Sequence, residues 1–98
     1  MAKLTTVYWR EIPAQVIARE RRDTAKLVLT ERFAVAIDKA AMRAKMAGTD
    51  AYLEQWRREV VNCGRDLQAT VDEAAKKLEQ EFDDARLETL VSNGGNDV

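Results

Sequence analysis

Most of the side chains that enzymes use for catalysis are missing from this chain or stand alone in it. The sequence has no histidine and a single cysteine, Cys63. Without histidine there is no Ser-His-Asp or Cys-His catalysis, and one cysteine cannot form an intrachain disulfide or a thiolate zinc site. Tyrosine, lysine, arginine and carboxylates can support acid–base chemistry, but they do not converge on one segment. The sequence therefore predicts no catalytic residue, no metal site and no cofactor.

A group of basic residues surrounds residues 20–24, a segment without apolar residues that predicts a turn. Such a group could bind phosphate or another anion, or nucleic acid. Glu20, Asp23 and Glu31 lie among the basic residues and offset much of their charge, so a solvated turn is the alternative. A sequence pI of about 5.5 argues against a nucleic-acid-binding footprint. The candidate anion-binding residues are Arg19, Arg21, Arg22, Lys26 and Arg32.

A second candidate site lies where the first strand should end, and we call this segment the corner. Tryptophan and arginine are enriched at the energetic centres of protein interfaces, and a proline stiffens the segment before binding. The alternative is a structural segment in which the tryptophan packs in the core and the proline only turns the chain. The candidate partner-binding residues of the corner are Trp9, Arg10, Ile12, Pro13 and Gln15.

The elements that must position these residues follow from sequence periodicity. Residues 4–9 are rich in β-branched and aromatic residues, which predicts a strand. Pro13 breaks it, and residues 14–19, with Val16 and Ile17, are predicted to form a second strand antiparallel to the first. A third strand over residues 25–29 is left open. From Thr30 the apolar residues recur every three or four positions, which predicts helices over about 31–47, 50–63 and 66–91. Residues 92–98 are predicted to fray.

These elements predict an α+β fold, in which an N-terminal antiparallel β-hairpin or three-stranded sheet (residues 3–29) packs on about three α-helices. We expect the 98 residues to form a single domain. The sequence has no apolar run long enough to span a bilayer and no signal-peptide core, so we expect a cytoplasmic protein without a membrane partner.

The charge is balanced overall but unevenly placed. Net charge is −1, yet residues 1–64 carry 12 basic and 8 acidic side chains, whereas residues 65–98 carry 4 and 9. A chain of this kind can dock its basic part on an acidic partner, or cover that part with its own acidic half. The sequence leaves the oligomeric state open.

The corner and the start of the helical region resemble a known family. The segment Trp9-Arg10-Glu11-Ile12-Pro13-Ala14-Gln15-Val16, with Leu29-Thr30-Glu31-Arg32-Phe33 and the alanine-rich residues 37–42, is similar to the small bacterial "virulence factor" domain family over about residues 4–90. The Ile-Pro-x-Gln-Val pattern, from Ile12 to Val16, is the specific part. The family has proline where this chain has Thr30, and both residues can open a helix.

The resemblance implies a non-catalytic accessory or protein-interaction module, since the family name records a genetic phenotype and similar domains are fused to helical-repeat segments. Free-standing members are encoded beside folate- and corrinoid-dependent one-carbon enzymes, including methylenetetrahydrofolate reductases and methyltransferases. We therefore expect a larger protein partner, a one-carbon enzyme among the candidates, bound at the corner. Two alternatives stay open: a small nucleic-acid-binding regulator, and a stand-alone enzyme without histidine or cysteine chemistry.

Overall fold

The computed structural model describes residues 2–96 and contains a four-stranded antiparallel sheet with strand order β3-β2-β1-β4. The strands are β1 (Ala2–Trp9), β2 (Ile12–Glu20), β3 (Asp23–Val28) and β4 (Trp56–Cys63). The helices are α1 (Glu31–Arg43), α2 (Asp50–Glu54), α3 (Leu67–Glu81) and α4 (Asp84–Ser92). The α+β fold class is confirmed.

The first three strands form a continuous antiparallel meander. β1 and β2 pair from Lys3 opposite Arg19 to Trp9 opposite Ile12, as the sequence predicted. The register shifts near Pro13, where a residue without an N–H favours an irregular ladder. β3, which the sequence left open, is present and pairs with β2 along its length.

The predicted helix over residues 50–63 is wrong beyond Glu54. α2 is a single short helix, and the rest of the segment forms β4, which pairs with β1 along its whole length. The apolar residues of this segment have helical spacing, but Val60 and Val61 are β-branched and suit a strand. Pairing with β4 also satisfies backbone N–H and C=O groups of β1 that would otherwise have no hydrogen-bond partner. Tertiary pairing therefore overrides the local periodicity.

Two predicted helices also end earlier than expected. α1 ends at Arg43 instead of residue 47, because Lys45 adopts a left-handed φ of 60° and the last carbonyls of the helix accept hydrogen bonds from the Lys45 and Met46 amides. The predicted helix over 66–91 is broken after Glu81. There the side chain of Asp83 accepts a hydrogen bond from the Arg86 amide and starts α4.

The C-terminal segment is held against the corner. α4 ends with Gly94 at a left-handed φ of 68°, and the Gly95 amide donates to the Leu90 carbonyl at 2.7 Å. The Gly95 carbonyl accepts a hydrogen bond from the Glu11 amide at 2.9 Å. The prediction that residues 92–98 fray is wrong for Gly94 and Gly95, which are buried, and residues 97 and 98 lie outside the described residues.

The helices cover one face of the sheet. α3 packs across β2 and β3, and α1 packs against β2 and α4. The aromatic rings of Phe33 and Phe82 meet edge to face at 6.1 Å at the centre of this layer. No described helix is long and apolar enough to cross a membrane. The core side chains under the helices include Val16, Ala18, Phe33, Ala36, Ile37, Ala40, Ala41, Val71, Ala75, Phe82, Leu87 and Leu90.

Candidate binding surface on the open face of the sheet

The opposite face of the sheet is left largely uncovered by the described elements, and we call it the open face. Side chains alternate between faces along a strand, and directly opposed residues of antiparallel strands share a face. The strand register and the residues that line two cavities therefore define this surface. The open face comprises Lys3, Thr5, Val7, Gln15, Ile17, Arg19, Lys26, Val28, Trp56, Arg58, Val60 and Asn62.

Every charged side chain on the open face is basic. The acidic strand residues Glu20, Asp23 and Glu59 have the other parity in the register and lie on the opposite face. Cations without a carboxylate among them give this face a positive potential, although the chain as a whole carries a net charge of −1. The four cations are Lys3, Arg19, Lys26 and Arg58.

The open face also exposes apolar side chains between its cations. Val28 is 64%, Val60 56% and Trp56 37% exposed. Val7, in the central strand, is only 7% exposed, because Gln15 and Arg58 stand on either side of it. Single exposed valines are ordinary, whereas apolar and basic residues grouped on one face are typical of an interaction surface.

Two cavities lie side by side on the open face. The first has a volume of about 270 Å³ and is lined by Lys3, Thr5, Ile17, Arg19, Arg21 and Arg58. The second, of about 300 Å³, is lined by Val7, Gln15, Trp56, Arg57 and Arg58. Arg58 borders both cavities, whereas Lys3, Arg19 and Arg21 line only the first, so the cations are concentrated around that cavity.

The five candidate anion-binding residues do not all lie together in the structure. Arg19 and Arg21 line the same cavity, and Lys26 lies beside it on the open face, opposite Ile17. Arg22 is exposed in the turn between β2 and β3. Arg32 is separate: it lines a different cavity, between α1 and α4.

Arg32 joins α1 to the break between α3 and α4. Its guanidinium lies 3.0 Å from Glu79 Oε1 and 3.4 Å from Asp84 Oδ1, and it donates to the carbonyls of Glu79 and Phe82. These carboxylates neutralise its charge, so it contributes to the fold instead of the anion-binding group.

Glu79 is held in its ionised form by the same junction. Burial raises the pKa of Glu79, but hydrogen bonds from the Thr30 amide (2.8 Å) and hydroxyl (2.9 Å), together with Arg32, outweigh it and lower this pKa below its usual value. The carboxylate therefore ties the start of α1 to α3.

Neither Tyr8 nor Cys63 offers acid–base chemistry at the open face. Burial, and then Glu59, raises the pKa of Tyr8 further from neutrality, and Arg57 lies over its ring at 4.3 Å on the opposite face of the sheet. Cys63 sits in β4 opposite Ala2. Among residues 2–96, no group of three metal-ligating side chains is arranged to hold an ion.

The corner residues come together, but most of them are buried. Trp9, Ile12 and Pro13 are among the most deeply buried side chains of the protein. The indole of Trp9 stacks on Tyr52, with ring centroids 5.6 Å apart, and its Nε1 donates to the Tyr52 carbonyl at 2.9 Å. These three side chains therefore have a structural role in the core, which is the alternative to partner binding.

Arg10 acts as a cross-link within the corner. It adopts a left-handed φ of 54° and donates to Gln55 Oε1 (3.2 Å) and the Gly94 carbonyl (3.0 Å). It also lies 5.3 Å from the Trp9 ring centroid. Partner binding at the corner stays a prediction, and of its five residues only Gln15 lies on the open face.

Sequence reasoning missed Lys3, Trp56, Arg58 and Val60 as members of a surface. Assigning residues 56–63 to a helix separated Arg58 from the strands that flank it. The available signal was the β-branched pair Val60–Val61 in a segment of eight residues between Gln55 and Gly64, which suits a strand.

Comparison with known proteins places the chain. A protein-family model described as "Virulence factor" matches residues 7–91. The chain belongs to the virulence factor family. The match extends from β1 through α4 and confirms the resemblance that the corner motif carries. No curated protein and no solved structure matches this virulence factor chain.

Proposed function

We propose that this virulence factor chain is a non-catalytic accessory module that docks on a larger protein through the open face. The observation that supports this most is the composition of that face, where all charged side chains are basic and Val28, Trp56 and Val60 are exposed between them. Exposed apolar side chains lower the free energy of a complex when they leave water, and a single sign of charge selects the partner.

The chemistry of the open face specifies the partner surface. A complementary surface has a small apolar centre that covers Val60 and Val28, with carboxylates at its rim to face the cations. Rim charges steer association and set its salt dependence, whereas the apolar centre slows dissociation.

The family resemblance supports a proposal for the class of the partner. We propose a one-carbon enzyme that uses folate or a corrinoid, such as a methylenetetrahydrofolate reductase or a methyltransferase. In such a complex the larger enzyme performs the chemistry, and this chain contributes a docking surface.

A pair of neighbouring valines gives a matched test of the docking surface. Val60 is 56% and Val61 57% exposed, and they point to opposite faces of the same strand. Val60→Asp puts a carboxylate on the open face, whereas Val61→Asp puts the same change on the other face. Wild-type and variant baits are used to capture partners from native extract, and the affinity for the captured protein is then measured with both purified.

The proposal expects Val60→Asp to weaken the affinity at least tenfold, which is about 1.4 kcal/mol, and Val61→Asp to leave it within about twofold. Equal losses with the two variants, or no loss with either, would contradict docking through the open face. Mass spectrometry of the captured protein tests the finer proposal, since a partner that uses neither folate nor a corrinoid contradicts the one-carbon assignment.

A further inference from the structure

We propose that one end of the open face binds the phosphate groups of a small diphosphate ligand. The residues that would hold these groups are Lys3, Arg19, Arg21 and Arg58, which we call the cationic cluster. Diphosphate binding requires only this chain, so the inference stands apart from docking on a protein partner.

Three strands and a turn bring the cationic cluster together. Lys3 lies directly opposite Arg19 across the β1–β2 ladder, and Arg58 reaches the same cavity from β4 on the other side of β1. Arg58 pairs with Val7, four residues along β1 from Lys3, which is about 13 Å at 3.3 Å per residue, so the long arginine side chain is what lets it line the same cavity. The cavity of about 270 Å³ has Thr5 and Ile17 in its lining, and the Thr5 hydroxyl is a further donor for a phosphate oxygen.

No carboxylate lines this cavity, although Arg21 also borders a separate cavity that Glu20 and Asp23 line. Within residues 2–96, none of its four side chains forms an ion pair, whereas Arg32 and Arg57 each contact two carboxylates. The Lys3 ammonium donates to Asn62 Oδ1 at 2.6 Å, a neutral partner that orients it without cancelling its charge. Cations that converge on a cavity without carboxylates favour a multiply charged anion.

The number of charges indicates phosphate rather than a single carboxylate. One phosphate monoester carries about −1.5 to −2 charges near pH 7, so two linked phosphate groups come closest to neutralising four cations. Guanidinium groups also match phosphate oxygens with paired N–H donors. The cavity accommodates the phosphate groups, and the remainder of a larger ligand would lie over the neighbouring part of the open face.

The backbone conformation of Arg21 follows from the two-residue turn between β2 and β3. Arg21 has a φ of 53°, in the left-handed region where glycine or asparagine is favoured. The turn brings Arg21 into the lining of the cavity. Arg10 has a similar φ of 54° at the matching position of the turn between β1 and β2, so this conformation belongs to the hairpin turn.

Calorimetric titration of the purified full-length chain with inorganic diphosphate tests the proposal. The cluster variant is Arg19→Gln with Arg58→Gln. The matched control, Arg43→Gln with Lys77→Gln, removes the same charge from exposed positions on α1 and α3. Circular dichroism verifies that both variants are folded. Citrate tests a carboxylate ligand, ADP tests a nucleotide source of the phosphates, and a single-stranded oligonucleotide tests a polymer.

The proposal expects one diphosphate per chain, an affinity at least tenfold weaker in the cluster variant, and a control within twofold of wild type. Equal affinity for ADP and diphosphate supports recognition of phosphate groups alone, and tighter ADP binding supports a nucleotide as their source. Absence of diphosphate binding, equal weakening in the control, or tighter binding of citrate or the oligonucleotide would each overturn it. Val60 lies opposite Thr5 but lines neither cavity, so the uncharged change Val60→Ala should leave diphosphate binding unchanged while it weakens capture of a protein partner, and the two proposals fail separately.

Discussion

Replacing the buried Gly95 with alanine should destabilise the protein more than the same change at Gly48 or Gly64, because two costs combine at Gly95. A Cβ at Gly95 would lie 2.7 Å from Trp9 Cζ3 and 3.1 Å from Trp9 Cε3, and its φ is +95°. The indole cannot move away easily, since Trp9 is fully buried and its Nε1 is hydrogen-bonded to Tyr52.

Two other glycines distinguish the cost of the left-handed backbone from the cost of the steric clash. Gly48 also has a positive φ, +75°, but a Cβ there would meet nothing within 4 Å, and Gly64 has neither constraint. A left-handed backbone costs an alanine about 1–2 kcal/mol, and forcing extra atoms into a packed core costs about 1–3 kcal/mol. We therefore expect destabilisation of about 2–5 kcal/mol for Gly95→Ala, about 1–2 kcal/mol for Gly48→Ala, and within about 0.5 kcal/mol of zero for Gly64→Ala.

Urea unfolding at equilibrium, followed by tryptophan fluorescence and by circular dichroism, measures the three free energies of unfolding. The m-values should agree, so that differences in midpoint report stability. A cost for Gly95→Ala within about 0.5 kcal/mol of that for Gly48→Ala would refute the reasoning, because it would mean that the end of the chain does not press on the indole.

Three further predictions use the same unfolding measurement. Phe82→Ala should cost about 3–5 kcal/mol, since Phe82 is 6% exposed against Phe33, whereas Val28→Ala on the open face should cost less than about 0.5 kcal/mol; similar costs would mean that Phe82 is not core. Glu79→Gln should be less stable than wild type near neutral pH, and because the folded pKa of Glu79 is lowered, that difference should vanish as pH falls through it; a pH-independent difference contradicts this. Arg10→Ala should cost about 1.5–3 kcal/mol through its lost hydrogen bonds, with Gln15→Ala near wild type, and an unchanged Arg10→Ala would show that the cross-link is dispensable.

The strands that the sequence predicted correctly are those whose local signals agree with their surroundings. Residues 4–9 are β-branched and aromatic, and Pro13 marks the turn, so local propensity and tertiary pairing coincide. β4 could not be predicted in the same way, because its apolar spacing also fits a helix and its strand conformation depends on β1, far away in the sequence. The break at Phe82–Asp83 contains neither glycine nor proline, so periodicity continued across it.

The candidate site was predictable only in part for a related reason. Arg19 and Arg21 are neighbours in the sequence and were recognised as a basic group, but Lys3 and Arg58 join them only through strand pairing. The aromatic and proline residues of the corner were read as an interface, yet their burial depends on Tyr52 and Gly95, which no local pattern connects to them. The composition of the chain therefore indicated a basic surface, and the pairing of the strands determined which residues form it.

The strand order has a consequence for how the chain folds. β1 lies in the interior of the sheet, between β2 and β4. β2 follows β1 after a tight turn, whereas β4 is far from β1 in the sequence and pairs with it through residues such as Ala2 and Cys63. Pairing β1 with β4 closes a loop that contains β2, β3, α1 and α2. Closing this loop is entropically costly and slow compared with forming the β1–β2–β3 meander. During synthesis the edge of β1 that faces β4 therefore stays unpaired until β4 has been synthesised. In that interval β1 is an open strand edge to which another nascent chain can add, so the yield of folded protein should fall as chain concentration rises.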